Sequence, residues 1–171
     1  AQVRAPAEAE NPVARGVLAH SVEAAEVIGA LTENAELANA LVLRPLVGLH
    51  AFTPEKLAKI SAPASAKIAV DLQRIGDVGL PRDWSPAQGH DARQAETVRK
   101  MLLAVVSDPR LVLAQLAQQL VRLRHAKEIP AEARERLAVE ARAVLAPLAN
   151  RLGVWQLKWE LEDLAFRHLE P

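Results

Sequence analysis

Residues 145–171 read LAPLANRLGVWQLKWELEDLAFRHLEP, and this stretch decides the fold of the chain. One row of its side chains recurs at spacings of four, three and four residues, which is the repeat of a single helix face. The row consists of Leu157, Leu161, Leu164 and His168. Trp155 and Trp159 form a second row, one turn apart. Gly153 can end the preceding helix, because glycine readily adopts the left-handed conformation common at helix ends. The stretch therefore predicts two helices that meet at Gly153.

The same helical repeat continues upstream through most of the chain. Leu113, Leu116, Leu120 and Leu123 recur at spacings of three, four and three residues. No window shows the strict alternation of apolar and polar residues that marks a strand. The predicted helices cover residues 13–31, 34–44, 54–60, 64–75, 93–106, 109–126, 130–152 and 155–168. We therefore predict an all-α fold, arranged as a multi-helix bundle.

Prolines refine the predicted helix boundaries. Thr53-Pro54 and Asp108-Pro109 each combine an N-cap residue with proline at the first helical position. Pro147 lies inside a helical pattern, where proline removes a hydrogen-bond donor and crowds the preceding turn. We therefore expect a kink or break near residues 143–147.

The composition limits the class of protein. At 171 residues the chain is expected to form one domain. We expect a flexible tail over 1–12 and a helical domain over 13–171. Within that domain, the density of glycine, proline and aspartate over 76–93 predicts a mobile loop. The lack of an initiator methionine predicts a segment of a longer protein.

Charge and cysteine content exclude several kinds of site. The chain has no cysteine, so it contains neither a disulfide nor a thiolate metal site. The 21 basic and 21 acidic residues balance, whereas nucleic-acid binders usually carry a basic excess. No apolar run reaches the ~18 residues that a membrane helix needs, and the N-terminus lacks a signal-peptide core. We expect a cytoplasmic location.

Five histidines raise the question of a metal site: His20, His50, His90, His125 and His168. No two of them have the four-residue spacing that places ligands on one helix face. His90-Asp91 is a literal His-Asp pair, whose imidazole and carboxylate could bind a divalent ion. It lies in the predicted loop 76–93, however, and metal ligands need rigid support. We interpret this pair as a turn.

Residues 145–171 resemble the junction between the hydrolase and synthetase domains of the long RelA/SpoT proteins, which make and degrade (p)ppGpp. The run Arg99-Lys100-Met101-Leu102-Leu103-Ala104 resembles another segment of that family. The resemblance implies a helical domain of the His-Asp phosphohydrolase type. In active relatives this domain holds manganese through a first His, a His-Asp pair and a later Asp, while a Glu-Asp pair helps to activate water. The resemblance also places a magnesium-dependent synthetase domain after residue 171.

The family pattern can be placed on this chain residue by residue. His20 falls at the first His, and Arg44-Pro45 falls where the His-Asp pair belongs. Gly48-Leu49 stands in place of the Glu-Asp pair, and Gln118 stands in place of the later Asp. Leu145 replaces a tyrosine found in many active relatives. The resemblance therefore implies a degenerate site, as in RelA-like members, which act mainly as synthetases.

The chemistry of these replacements argues against a metal. Arg44 would bring a permanent positive charge to the place of a dication, with a repulsion of several kcal/mol at ~4 Å. Pro45 and Leu49 offer no ligand atom, and the Gln118 carbonyl is a weak ligand. We expect no metal, no cofactor and no catalytic residue in this segment, and we interpret His20 as a relic or a satisfied core histidine.

Two further features have competing interpretations. Arg122, Arg124, His125 and Lys127 lie at a predicted helix end. The ordinary interpretation is that these cations complement the negative end of the helix dipole. The functional interpretation is that they form a phosphate-binding site. One interpretation of the last helix is an interface with the synthetase domain, formed by Trp155, Trp159 and Glu162. The alternative is that the two tryptophans pack in the core. The interface interpretation also predicts self-association of the isolated chain through 155–169.

Three functions follow as hypotheses. The first is a catalytically inactive regulatory domain of a RelA-like GTP pyrophosphokinase in the stringent response. Its partner is the adjoining synthetase domain, with ribosome and tRNA contacts only through domains further along the protein. The second is an active manganese-dependent (p)ppGpp 3′-pyrophosphohydrolase that uses His20, His90 and Asp91. The third is a helical interaction module unrelated to nucleotides, because a fold does not guarantee a function.

Overall fold

The computed structural model describes residues 12–48, 52–75, 96, 97, 100 and 108–170. All regular structure in these ranges is helical and none of them contains a strand, which confirms the predicted all-α class. The chain divides into two compact units, Ala1–Gln73 and Arg74–Pro171. Two compact units can belong to one domain, so the domain predicted over 13–171 stays a prediction. The predictions for residues 1–11, the loop 76–93 and most of the helix 93–106 lie outside the described residues.

The first unit contains four described helices. They are α1 (Pro12–Thr32), α2 (Ala35–Gly48), α3 (Pro54–Ile60) and α4 (Pro63–Ile75). α1 and α2 pack against each other as a helical hairpin. Ala24 and Ile28 of α1, and Leu37, Ala40 and Leu41 of α2, have no exposed surface. Burying each of the larger side chains contributes roughly 1.5–3 kcal/mol, so this core stabilises both helices.

A two-residue turn joins α1 to α2. Glu33 has a φ of 51°, in the left-handed region that L-residues rarely adopt. Asn34 caps α2, because its Oδ1 accepts a hydrogen bond from the Leu37 N–H at 3.0 Å. The Thr32 hydroxyl donates to the Ile28 carbonyl at 2.9 Å and ends α1. Polar side chains thus satisfy backbone groups at both helix ends.

α2 continues to Gly48, so the predicted end at residue 44 is wrong. Pro45 lies inside the helix, where it withholds an N–H from the Leu41 carbonyl. The buried residues of α2 outweigh that local cost and keep the chain helical past the proline. The prediction for α3 is confirmed, since Thr53 Oγ1 accepts from the Lys56 N–H at 3.4 Å and Pro54 begins the helix.

The second unit contains a chain of consecutive helices. They are α5 (Pro109–Arg124), a 3₁₀ turn (Ala126–Glu128), α6 (Ala131–Glu140), a π-helical turn (Ala141–Leu145), α7 (Ala146–Arg151) and α8 (Trp155–Leu169). Asp108 caps α5 as predicted, with its Oδ1 3.0 Å from the Arg110 nitrogen. Beyond its first turn, α5 is buried on most of its surface, and Leu116, Leu120 and Leu123 are completely enclosed.

The break predicted near Pro147 takes the form of the π-helical turn. The Ala146 N–H donates to the carbonyl of Ala141, five residues back. This wider turn places Pro147 at the start of α7, where a proline needs no N–H. The helical path therefore continues through 131–151 without the clash that a proline causes inside an α-helix.

Gly153 ends α7 with a φ of +75°, as its position in the sequence predicts. α8 follows and packs on α5, α6 and α7 through Leu157, Leu161 and Ala165. A histidine and an ion pair also tie α8 to α5. The His168 Nε2 lies 3.1 Å from the Leu123 carbonyl, and Arg124 Nε lies 2.6 Å from Glu160 Oε1.

Candidate functional site

The hairpin of the first unit carries the candidate positions nearest the N-terminus. His20 is half-buried on α1, beside the buried Ser21. Arg44 and Pro45 are half-buried near the end of α2. Counted from the turn at 33–34, His20 lies roughly 20 Å along α1 and Arg44 roughly 15 Å along α2, at 1.5 Å per residue. The hairpin therefore brings these positions to similar heights on two packed helices.

The side chains at this end of α2 do not suit a divalent cation. Arg44 is a permanent cation with hydrogen-bond donors and no acceptor. Pro45 adds only a hydrocarbon ring. Of the described hairpin positions that the family pattern singles out, which are His20, Arg44, Pro45 and Gly48, His20 alone has a side-chain atom that metals favour. Arg44 is better suited to contact carboxylate or phosphate oxygens than to sit beside a metal ion.

Gly48 closes α2 against α4. A Cβ atom added at Gly48 would lie 3.3 Å from both Nε2 and Oε1 of Gln73. The Gln73 amide therefore fills the space beside the position where the family resemblance expects a glutamate. A side chain at 48 fits only if the flexible end of Gln73 moves. Leu49 and His50 lie outside the described residues.

The second unit carries Gln118 in the middle of α5. Gln118 is buried, and so are Gln115 and Gln119 on the same helix. The Gln119 Oε1 accepts from the Arg122 Nη1 at 3.1 Å. The Gln115 Oε1 is buried and has no hydrogen-bond partner among the described residues. Sequence reasoning singled out Gln118 and missed the other two, although glutamines three and four residues apart in an apolar helix were the available signal.

These buried amides differ from carboxylates in one decisive respect. A neutral glutamine offers one carbonyl oxygen and an NH₂ donor, whereas an ionised aspartate offers two acceptor oxygens and a negative charge. Three neutral amides therefore supply neither the charge nor the geometry that a divalent cation takes from carboxylates. They suit ordinary hydrogen bonds, such as the one that Gln119 accepts from Arg122.

Three members of the basic cluster at the end of α5, Arg122, Arg124 and His125, make contacts within their own unit. Arg124 makes a bidentate pair with Glu160, at 2.6 and 2.9 Å. The His125 Nδ1 lies 3.1 Å from Glu128 Oε1, and Arg122 bonds Gln119. These contacts favour the structural interpretation of the cluster over a phosphate site.

The α8 helix exposes its tryptophans. Trp155 and Trp159 are 54% and 65% exposed, so the alternative that they pack in the core is wrong. Phe166 is also 54% exposed on this helix and was missed by the sequence analysis. Glu162 is exposed and bonds Lys158 at 2.7 Å. The literal pair His90-Asp91 lies outside the described residues.

Comparison with known proteins identifies the family. The sequence profile of the HD domain matches residues 2–155 of this chain. This chain is an HD domain of the RelA/SpoT family. The match covers both units and agrees with the resemblance seen in the sequence.

Its relatives carry two different names. A GTP pyrophosphokinase of Escherichia coli is 35% identical over 164 residues, which is 94% of this chain and 22% of that protein. A GTP pyrophosphokinase of Haemophilus influenzae is 38% identical over 156 residues, 91% of this chain and 21% of that protein. A probable guanosine-3′,5′-bis(diphosphate) 3′-pyrophosphohydrolase of Synechocystis is 47% identical over 78 residues, 46% of this chain and 10% of that protein.

The chain spans only about a fifth of the length of the pyrophosphokinases that it matches along most of its own length. The family is therefore shown for this segment, whereas the activity of a longer protein is a separate question. Among the described residues, no helix has both the length and the apolar character needed to cross a membrane.

Proposed function

We propose that this chain is a catalytically silent HD domain that regulates a GTP pyrophosphokinase in (p)ppGpp metabolism and the stringent response. The observation that carries the proposal is Arg44-Pro45, which occupies the end of α2 where the family resemblance expects the metal-binding His-Asp pair. The names of the Escherichia coli and Haemophilus influenzae relatives support the link to a pyrophosphokinase.

The donor atoms support a silent centre. Arg44 and Pro45 supply no metal ligand, and the Gln73 amide occupies the space beside Gly48. In the second unit, Gln118 presents a neutral amide on α5. These residues do not fit a manganese ion, so we derive no hydrolytic step through one and expect no cofactor in this segment. The synthetase of a longer protein would use magnesium of its own.

A silent domain of this kind acts through its contacts. We infer that the second unit, with α7 and α8 joined at Gly153, transmits regulation to an adjoining synthetase domain. Helix packing with two alternative arrangements would be the physical means. Ribosome and tRNA contacts would belong to other domains of the same protein, in the cytoplasm.

The direct test is hydrolysis. The purified chain, incubated with ppGpp and manganese, should release pyrophosphate no faster than a blank that contains manganese alone. The probable 3′-pyrophosphohydrolase of Synechocystis, assayed in parallel, provides the comparison. Pyrophosphate release by the chain that manganese increases and a chelator abolishes would overturn the proposal.

A restored variant sharpens this test. Arg44→His with Pro45→Asp returns the His-Asp pair, and Gly48→Glu, Leu49→Asp and Gln118→Asp return the other carboxylates. We expect manganese binding by calorimetry in the full set of five substitutions and none in the parent chain. Gly48→Glu alone is the matched control, because it moves Gln73 without creating a ligand pair. If the parent chain hydrolyses ppGpp and the His-Asp substitutions do not increase its rate, the site assignment is wrong.

An active 3′-pyrophosphohydrolase is the second candidate, and the name of the Synechocystis relative favours it. It would need His20 together with His90 and Asp91. Calorimetry with manganese separates the first two candidates. The active hydrolase requires a heat of manganese binding, and that heat should disappear both in the His20→Ala variant and in the double variant with His90→Ala and Asp91→Ala. A helical interaction module without any nucleotide role is the third, and full synthetase regulation after deletion of this segment from a longer protein would favour it.

A further inference from the structure

We draw no further inference here: the strongest candidate, the exposed aromatic surface patch that Trp155, Trp159 and Phe166 form on α8, is an apolar helix face for which nothing in the described part of the structure shows what covers it.

Discussion

The two units solve the same local problems with different residues. In the second unit, Pro147 follows a π-helical turn, and Gly153 takes the left-handed conformation at the end of α7. In the first unit, Pro45 lies inside α2, and Glu33 takes the left-handed conformation after α1. In the second unit, the proline and the residue with positive φ therefore match the backbone conformation that they adopt. In the first unit, the proline and the residue with positive φ both cost free energy.

This difference coincides with the difference in chemistry between the units. The segment 145–171 keeps the pattern that resembles the family junction. The hairpin of α1 and α2 keeps its helices and core but holds Arg44 and Pro45 where metal ligands are expected. The core of the hairpin therefore does not depend on the residues at the end of α2, and the proposed loss of a metal centre there would leave the packing of α1 and α2 intact.

The largest expected effect comes from the cores that hold the two units. Leu41→Ala and Leu161→Ala each remove a fully enclosed side chain. Each should lower the free energy of unfolding by about 2–5 kcal/mol, because a cavity adds to the lost burial. Urea denaturation followed by circular dichroism measures the change. Ile60→Ala and Phe166→Ala, at exposed positions, are the controls and should cost less than about 1 kcal/mol. Equal losses at exposed and enclosed positions would contradict the assignment of the cores.

The two prolines provide the next comparison. Pro45→Ala restores an N–H that can donate to the Leu41 carbonyl, so the free energy of unfolding should rise by about 1–3 kcal/mol. Pro147→Ala should change it by less than about 1 kcal/mol, because Pro147 lies where a helix needs no N–H. Thermal and urea denaturation of the two variants measures both. A larger gain at 147 than at 45 would reverse the interpretation of these sites.

Much of this fold could be predicted from the sequence. The leucine rows placed α5 and α8 within a few residues, and Thr53-Pro54 and Asp108-Pro109 marked two helix starts correctly. The end of α2 could not be predicted. The cost of Pro45 inside a helix is visible in the sequence itself, whereas the compensating burial of Leu37, Ala40 and Leu41 depends on their packing against α1. The π-helical turn was foreseen only as a break, since periodicity does not show how a chain accommodates a proline.

The candidate site was predictable only in part. The family pattern located Arg44, Pro45 and Gln118, because those positions are fixed by distance along the sequence. It could not show that Gln73 fills the space beside Gly48, which depends on the packing of α4. It also left the tryptophans of α8 undecided between core and surface, since an amphipathic repeat does not say which of two apolar rows is covered.

A smaller effect is expected at Gly153. Its φ of +75° is unfavourable for any residue with a Cβ, although among the described residues no atom beyond its chain neighbours lies within 4 Å of the position that a Cβ would take. Gly153→Ala should therefore lower the free energy of unfolding by about 1 kcal/mol through the backbone alone. Gly29→Ala is the matched control, because it has equal space on the helical α1, and this change should raise the free energy of unfolding. A loss at both positions would point to crowding instead of backbone strain.

The smallest effect is expected at Glu33, the counterpart of Gly153 in the first unit. Glu33→Gly relieves the left-handed strain at a φ of 51°, but glycine also increases the freedom of the unfolded chain. The two terms oppose each other, so the free energy of unfolding should rise by only about 0.5 kcal/mol. Glu33→Ala keeps the strain and removes the same carboxylate, which separates the backbone effect from the charge. If Glu33→Ala gains as much as Glu33→Gly, the carboxylate and not the backbone is the unfavourable element of this turn, and the contrast with Gly153 loses its physical basis.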